Sequence, residues 1–247
     1  MGASALEFRL RLAINFVIIA LGFWSPWIER WGIGQRMTLL EWFALELSRI
    51  GLASFTVATP LVIIAGSLIA ALGAFLRIWG TAYLGSATML HPEMQAGAVM
   101  AAGPYRYVRN PLYLGTWFMV AAMAFIMPPT GALLTMLLVT IFQLRLIYGE
   151  EPFLAAQLGD SYRAYLRAVP RLIPRLRSSV PRSASQPHWG LAALSEITPI
   201  GVFITLAVLS WSYNHWLMLK GILIAFGASL LVRAFLPQAP PQATRPS

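Results

Sequence analysis

Residues 57–79, VATPLVIIAGSLIAALGAFLRIW, carry a single charged side chain, Arg77. Hydrocarbon offers no water to the backbone, so every N–H and C=O in a buried crossing must bond within the segment. A run this long and apolar therefore reads as a helix through a bilayer. Similar runs lie at 10–28, 111–127, 131–148, 190–212 and 216–235. The whole chain is 58% hydrophobic and 11% charged, where a soluble domain carries roughly a quarter charged residues. The expected class is all-α, a polytopic membrane helical bundle of about six transmembrane helices with amphipathic cytoplasmic helices beside them. Residues 39–55 hold Glu41, Glu46 and Arg49 among apolar neighbours, a pattern expected of a surface amphipathic helix rather than a span.

Charge orients this bundle. The net charge is +9, yet the arginines gather at the ends of apolar runs, which points to topology and lipid headgroups rather than to nucleic acid. The densest block, Arg163, Arg167, Arg171, Arg175, Arg177 and Arg182, is expected on the cytoplasmic side. Six spans then bring both termini and the 80–110 connection to that same side. The first apolar run is too long for a removable signal and is expected to be retained. The chain has no cysteine, which removes thiol catalysis, disulfides and cysteine metal sites. No histidine–carboxylate spacing suggests a metal. The expected organisation is an N-terminal span and amphipathic segment (1–56), a core (57–177), a linker (178–188), a C-terminal helical hairpin (189–236) and a proline-rich disordered tail (237–247).

Two polar segments interrupt the oil. One is AAGPYRYVRNPLYLGTW at 101–117; the other is the pair Glu150 and Glu151 at the end of the fourth apolar run. The turn MPPTG at 127–131 forces the intervening spans into an antiparallel hairpin, so both polar segments meet at one end. Carboxylates at the hydrocarbon edge need a partner or a task. Pairing with Arg145, Arg106 or Arg109 to seal a loop is one reading. A pocket for an anionic, hydroxylated or cationic ligand is the other, with glycine and proline freeing backbone groups and arginine and tyrosine gripping the ligand.

The segments LGAFLRIWGTAYLG, GPYRYVRNPLYLGTW and EEPFLAAQLGDSYRAYLRAVPRLIP resemble, in order and spacing, the isoprenylcysteine carboxyl methyltransferase and phospholipid methyltransferase superfamily, over roughly 66–174. The resemblance implies an integral-membrane methyltransferase that uses S-adenosylmethionine bound at the cytoplasmic face. It implies that Gly103, Pro104, Tyr105, Arg109, Asn110, Pro111, Tyr113 and Gly115 line the cofactor from one side. Glu150 and Glu151 would close it from the other, beneath a roof carrying Tyr162, Tyr165 and Arg167. Arg109, Asn110, Glu150 and Glu151 are the expected catalytic group. The prenylcysteine branch mostly has histidine where this chain has Asn110, which cannot act as a base near neutral pH but can orient a ligand. The implied acceptor is a membrane lipid or small lipophile: an amine lipid, an isoprenoid, or a prenylated thiol or carboxylate.

Trp117, Phe118 and Met119 follow the motif directly and are candidates to border the acceptor cleft, with His91 a candidate from the preceding loop. A nicotinamide-dependent membrane reductase of related architecture is the rival enzyme. A lipid-binding or transport protein is the non-enzymatic alternative, although Glu196 is the only acid inside the last two spans. It is expected to pair with another helix. The six-span reading makes a direct prediction. Tags at either terminus, or within 149–188, should be labelled only after sealed vesicles are opened on the cytoplasmic side; a C-terminal tag labelled from outside intact cells overturns it.

Overall fold

The computed structural model describes residues 2–25, 37–88, 102–178, 180–181 and 185–235. Among these the protein is helical and has no strand. The main helices are α1 (Ala5–Arg9), α2 (Arg11–Phe23), α3 (Leu39–Arg49), α4 (Phe55–Thr88), α5 (Pro111–Ala124), α6 (Pro129–Ala168), α7 (Trp189–Ser195), α8 (Ile197–Ile204) and α9 (His215–Phe235). A 3₁₀ turn, Gly103–Arg106, precedes α5.

Local chemistry sets the helix starts. Ser4 and Glu7 form a reciprocal capping box at α1, and Thr38 and Glu41 form another at α3, each satisfying backbone donors that have no helical partner. Pro111 and Pro129 open α5 and α6, positions where the missing N–H is not needed. α6 is two helices joined at Gly159, whose φ of +63° is a left-handed conformation open to glycine at little steric cost.

Each apolar run of the sequence is helical, but the helices are unequal. By length and composition α4, α6 and α9 can cross a membrane, and α7 with the helical stretch Ile197–Ser212 that begins as α8, bent by 71°, makes a fourth if counted as one broken span. α2 and α5 have 13 and 14 residues, about 20 Å at 1.5 Å per residue, against a hydrocarbon thickness of about 30 Å. Among the described residues three or four spans therefore stand where six were expected; if the short helices enter the bilayer, their flanking polar segments lie at membrane depth, where protein must surround them. α3 lies where the α5–α6 turn is, its first N–H groups donating to the carbonyls of Met127 and Phe125 at 2.8 Å. Leu40 and Ala44 pack on α4, while Trp42, Phe43 and Leu45 are exposed.

The core joins α2, α5, α6 and the C-terminal helices around Val120, Met123, Val139 and Val202. α4 and α5 cross backbone to backbone: a Cβ on Gly73 would lie 2.8 Å from the Met119 nitrogen, and one on Gly115 would lie 3.0 Å from the Gly73 carbonyl. Small residues permit that approach, and dispersion between close-packed helices holds it.

The break between α7 and α8 falls at Glu196, which is buried. Arg77 grips it through Nε and Nη2 at 2.6 and 2.9 Å, and Thr81 donates to it at 2.6 Å. Arg77 also donates to Thr116 of α5 at 2.7 Å, so one guanidinium ties three elements together. The pairing expected for Glu196 is thus with Arg77 of α4. Glu196→Ala would leave the guanidinium without its counter-ion in a poorly solvated place, a loss of about 3–5 kcal/mol. The expected result is a clear fall in thermal stability in detergent, larger than for Glu196→Gln; an unchanged melting profile would show that the pair does not hold the C-terminal helices.

Candidate active site at one end of the bundle

The loop 102–110 enters the protein instead of crossing its surface. Ala102, Pro104 and Val108 are buried. Gly103 turns the chain at φ +50°, and its missing side chain leaves room for the Tyr83 ring. Pro111 then starts α5. Across from this loop, the α6 helix carries Tyr148, Glu150 and Glu151, bends at Gly159, and continues as a roof helix with Tyr162 and Tyr165. The chain returns beyond Val169 as an extended arm.

Glu151 is the centre. Its carboxylate is 6% exposed and accepts from Arg171 Nη2 at 2.7 Å and Nε at 3.1 Å. Arg109 Nη2 lies 3.4 Å away, and the Asn110 amide donates to it at 3.4 Å. Backbone bonds stitch the same elements: Arg109 N–H to the Pro170 carbonyl at 2.9 Å, and Arg175 N–H to that of Tyr107 at 3.0 Å. Asn110 and Arg109 also donate to the carbonyls of Arg171 and Leu166. Arg171 stands over the Tyr148 ring, 4.4 Å from its centroid. Its hydrogen bonds to Glu151 raise the guanidinium's pKa above its ordinary value.

Glu150 is different. It is half-buried, accepts from the Tyr113 hydroxyl at 2.9 Å, and has no ion pair among the described residues. Tyr165 donates to the Tyr105 carbonyl at 2.8 Å, while Tyr162, Tyr165 and Val169 form a small buried cluster under the roof. The Tyr105 hydroxyl and the Arg109 Nε are buried with no hydrogen-bond partner. Burial first, and then the negative charge of Glu150, push the Tyr105 phenol well above its ordinary value. It therefore remains a neutral donor. Unmatched buried donors beside a carboxylate with spare acceptor capacity fit a ligand carrying both a carboxylate and hydroxyl or ammonium groups.

Of the residues singled out in the sequence, Gly103, Pro104, Tyr105, Arg109, Asn110, Tyr113, Glu150, Glu151, Tyr162 and Tyr165 are brought to this end together. Gly115 faces α4, where its Cβ would meet Arg77, and Pro111 packs near Gly80 of α4. Arg167 is exposed and has no ion pair among the described residues. Trp117 points at α6 and donates to Thr140 at 2.9 Å; Phe118 stands edge-on to it, and Met119 packs against the core. His91 lies outside the described residues. The loop-sealing pairs are Glu151 with Arg109 and Arg171. Arg145 instead holds Glu7 of α1 at 2.9 Å, and Arg106 donates to the Val180 carbonyl. Arg171 was not singled out, because one arginine in a block of six has no distinguishing local signal. Its tie to Glu151 spans 20 residues and a kink.

The family model for phospholipid methyltransferases matches residues 61–161. A methanethiol S-methyltransferase from Crocosphaera subtropica is 46% identical over 70 residues, 28% of this chain and 27% of that protein. One from Mycobacterium tuberculosis is 44% identical over 70 residues, 28% of each chain. The chain thus spans little more than a quarter of the curated relatives it matches. No solved structure matches it. Over residues 61–161 the chain is similar to the phospholipid methyltransferases, a likeness that supports a membrane methyltransferase-like core.

The ion cluster predicts a division between the adjacent acids. Glu151→Ala strands Arg171 and Arg109 and should free the arm, speeding tryptic cleavage after Arg175 and Arg177 by at least about tenfold. Glu150→Ala should leave the cleavage rate unchanged. Equal rates in both variants would remove Glu151 from its strapping role.

Proposed function

We propose that this protein is an integral-membrane methyltransferase that takes a methyl group from S-adenosylmethionine and delivers it to a small lipophilic acceptor, with a thiol the favoured class. The observation that carries the reading is Glu150. It is a half-buried carboxylate with only a tyrosine hydroxyl on it among the described residues, its charge felt at the buried, unpaired hydroxyl of Tyr105, within the stretch similar to phospholipid methyltransferases. The relatives' names, which specify methanethiol, favour a thiol over an amine or a carboxylate. The cofactor supplies an electrophilic methyl on a sulfonium.

The residues have separable tasks in this reading. Glu150, oriented by Tyr113, takes the ribose hydroxyls or the amino group, and Tyr105 with Arg109 takes the carboxylate. Asn110 fixes the loop by its bonds to Glu151 and to the Arg171 carbonyl rather than moving a proton. Tyr162 and Tyr165 exclude water from above. A thiol attacks as its thiolate, and in-line displacement then asks the protein for positioning and desolvation more than for acid–base work. The acceptor enters sideways from the bilayer, past the apolar side chains around Trp117 and Phe118. The pocket faces the cytoplasm, where the arginine-rich segment is expected.

Purified protein should bind S-adenosylmethionine or its demethylated product in calorimetry, with a thermal shift that grows with ligand concentration. Glu150→Gln should weaken binding by about 1.5–3 kcal/mol, the worth of hydrogen bonds to a charged group. With radiolabelled cofactor, small and prenylated thiols should accept label ahead of amine lipids. Absence of binding together with binding of a nicotinamide cofactor overturns the proposal in favour of a reductase.

A further inference from the structure

From 152 to 195 the chain has one acid, Asp160, against Arg163, Arg167, Arg171, Arg175, Arg177 and Arg182. The arm that follows the roof helix carries three of them, Arg171, Arg175 and Arg177, in an arrangement that a water-facing loop does not need. Ile173 is 81% exposed and Leu176 is 99% exposed, flanked by Pro174, Arg175 and Arg177. The exposure is built in. Arg109 N–H holds the Pro170 carbonyl, Arg175 N–H holds that of Tyr107, and Arg106 donates to that of Val180. With one edge of the arm spent on those bonds, the side chains of Ile173 and Leu176 are held away from the protein.

Fully exposed large aliphatic side chains interleaved with exposed guanidinium groups suit a lipid interface. The apolar groups enter the acyl boundary, and the cations meet headgroup phosphates. The arm lies at the end of the bundle where α5 starts and the short helices leave polar segments close to membrane depth, so a leaflet is within reach. We propose that residues 172–177 dock on the anionic lipid surface at this end of the bundle, with Ile173 and Leu176 as the inserted side chains and Arg175 and Arg177 as the headgroup contacts. The partner is the leaflet itself, not a soluble anion, because the aliphatic pair has no role with free phosphate. The same backbone bonds join the arm to the Glu151 cluster, so the lipid contact bears directly on the roof of the site.

The absence of cysteine from the chain permits a clean test that does not depend on activity. Full-length Leu176→Cys, carrying an environment-sensitive fluorophore, is placed in nanodiscs of phosphatidylcholine alone or mixed with phosphatidylglycerol. Lipid-borne nitroxide near the headgroup and a water-soluble quencher are compared, with Asp160→Cys as the exposed control. The expected result is stronger nitroxide quenching at position 176 than at 160, rising about twofold with anionic lipid. Arg175→Gln with Arg177→Gln in the Leu176→Cys background should abolish that rise. A label as open to the aqueous quencher as the control in both bilayers overturns the proposal. So does nitroxide quenching that is the same with and without phosphatidylglycerol.

Discussion

One buried carboxylate holds this end of the protein together. Glu151 sits where a charge is expensive, and a single cation does not neutralise that cost well, because a carboxylate offers several acceptor positions. Arg171, Arg109 and the Asn110 amide fill them. They come from two places: the motif loop supplies Arg109 and Asn110 and the arm supplies Arg171, while α6 supplies the acid. To satisfy Glu151 the chain must fold the loop under the roof and bring the arm back across it. The backbone bonds of Arg109 to Pro170 and Arg175 to Tyr107 follow from the same closure.

A second buried acid does the corresponding work between helices. Glu196 bends the path from α7 to α8 and anchors it to Arg77 of α4, which also reaches Thr116 of α5. Arg77 lies in the family-matched stretch and Glu196 outside it. The C-terminal helices are therefore attached to that stretch through a specific, desolvated ion pair as well as by apolar packing. In a lipid medium, where apolar contact between helices carries little selectivity, such a pair fixes which helix goes where.

The fold was legible to the extent that it follows from solvent. Long apolar runs with proline and glycine stops must be helical in hydrocarbon, and the described part of each run is, with the 190–212 run broken in two. Where Ser4, Thr38, Pro111 and Pro129 stand, local chemistry also marks the starts. Less legible were the 71° break at Glu196 and the kink at Gly159, because a glycine or glutamate within an apolar-periodic stretch does not say whether the helix continues. The site showed the same limit. Tyr113, Asn110 and Glu151 could be brought together from the hairpin alone, since the MPPTG turn makes their helix ends neighbours. Gly115 could not be separated from the loop glycines by sequence. Its place on α5 faces α4, and only the crossing with Gly73 shows that its small size serves helix packing. Arg171 was hidden for the opposite reason, in a block of residues all equally able to pair.

The adjacent acids have different partners. On a helix, neighbouring residues point about 100° apart, so Glu150 and Glu151 leave α6 toward different neighbours. One turns toward Arg171 and the motif loop and is saturated by cations; the other turns toward Tyr113 and keeps acceptor capacity. If both were ligand groups, Arg171 would lose its counter-ion and the arm its tie to the loop. The geometry favours one acid that builds the roof and one that is left beneath it.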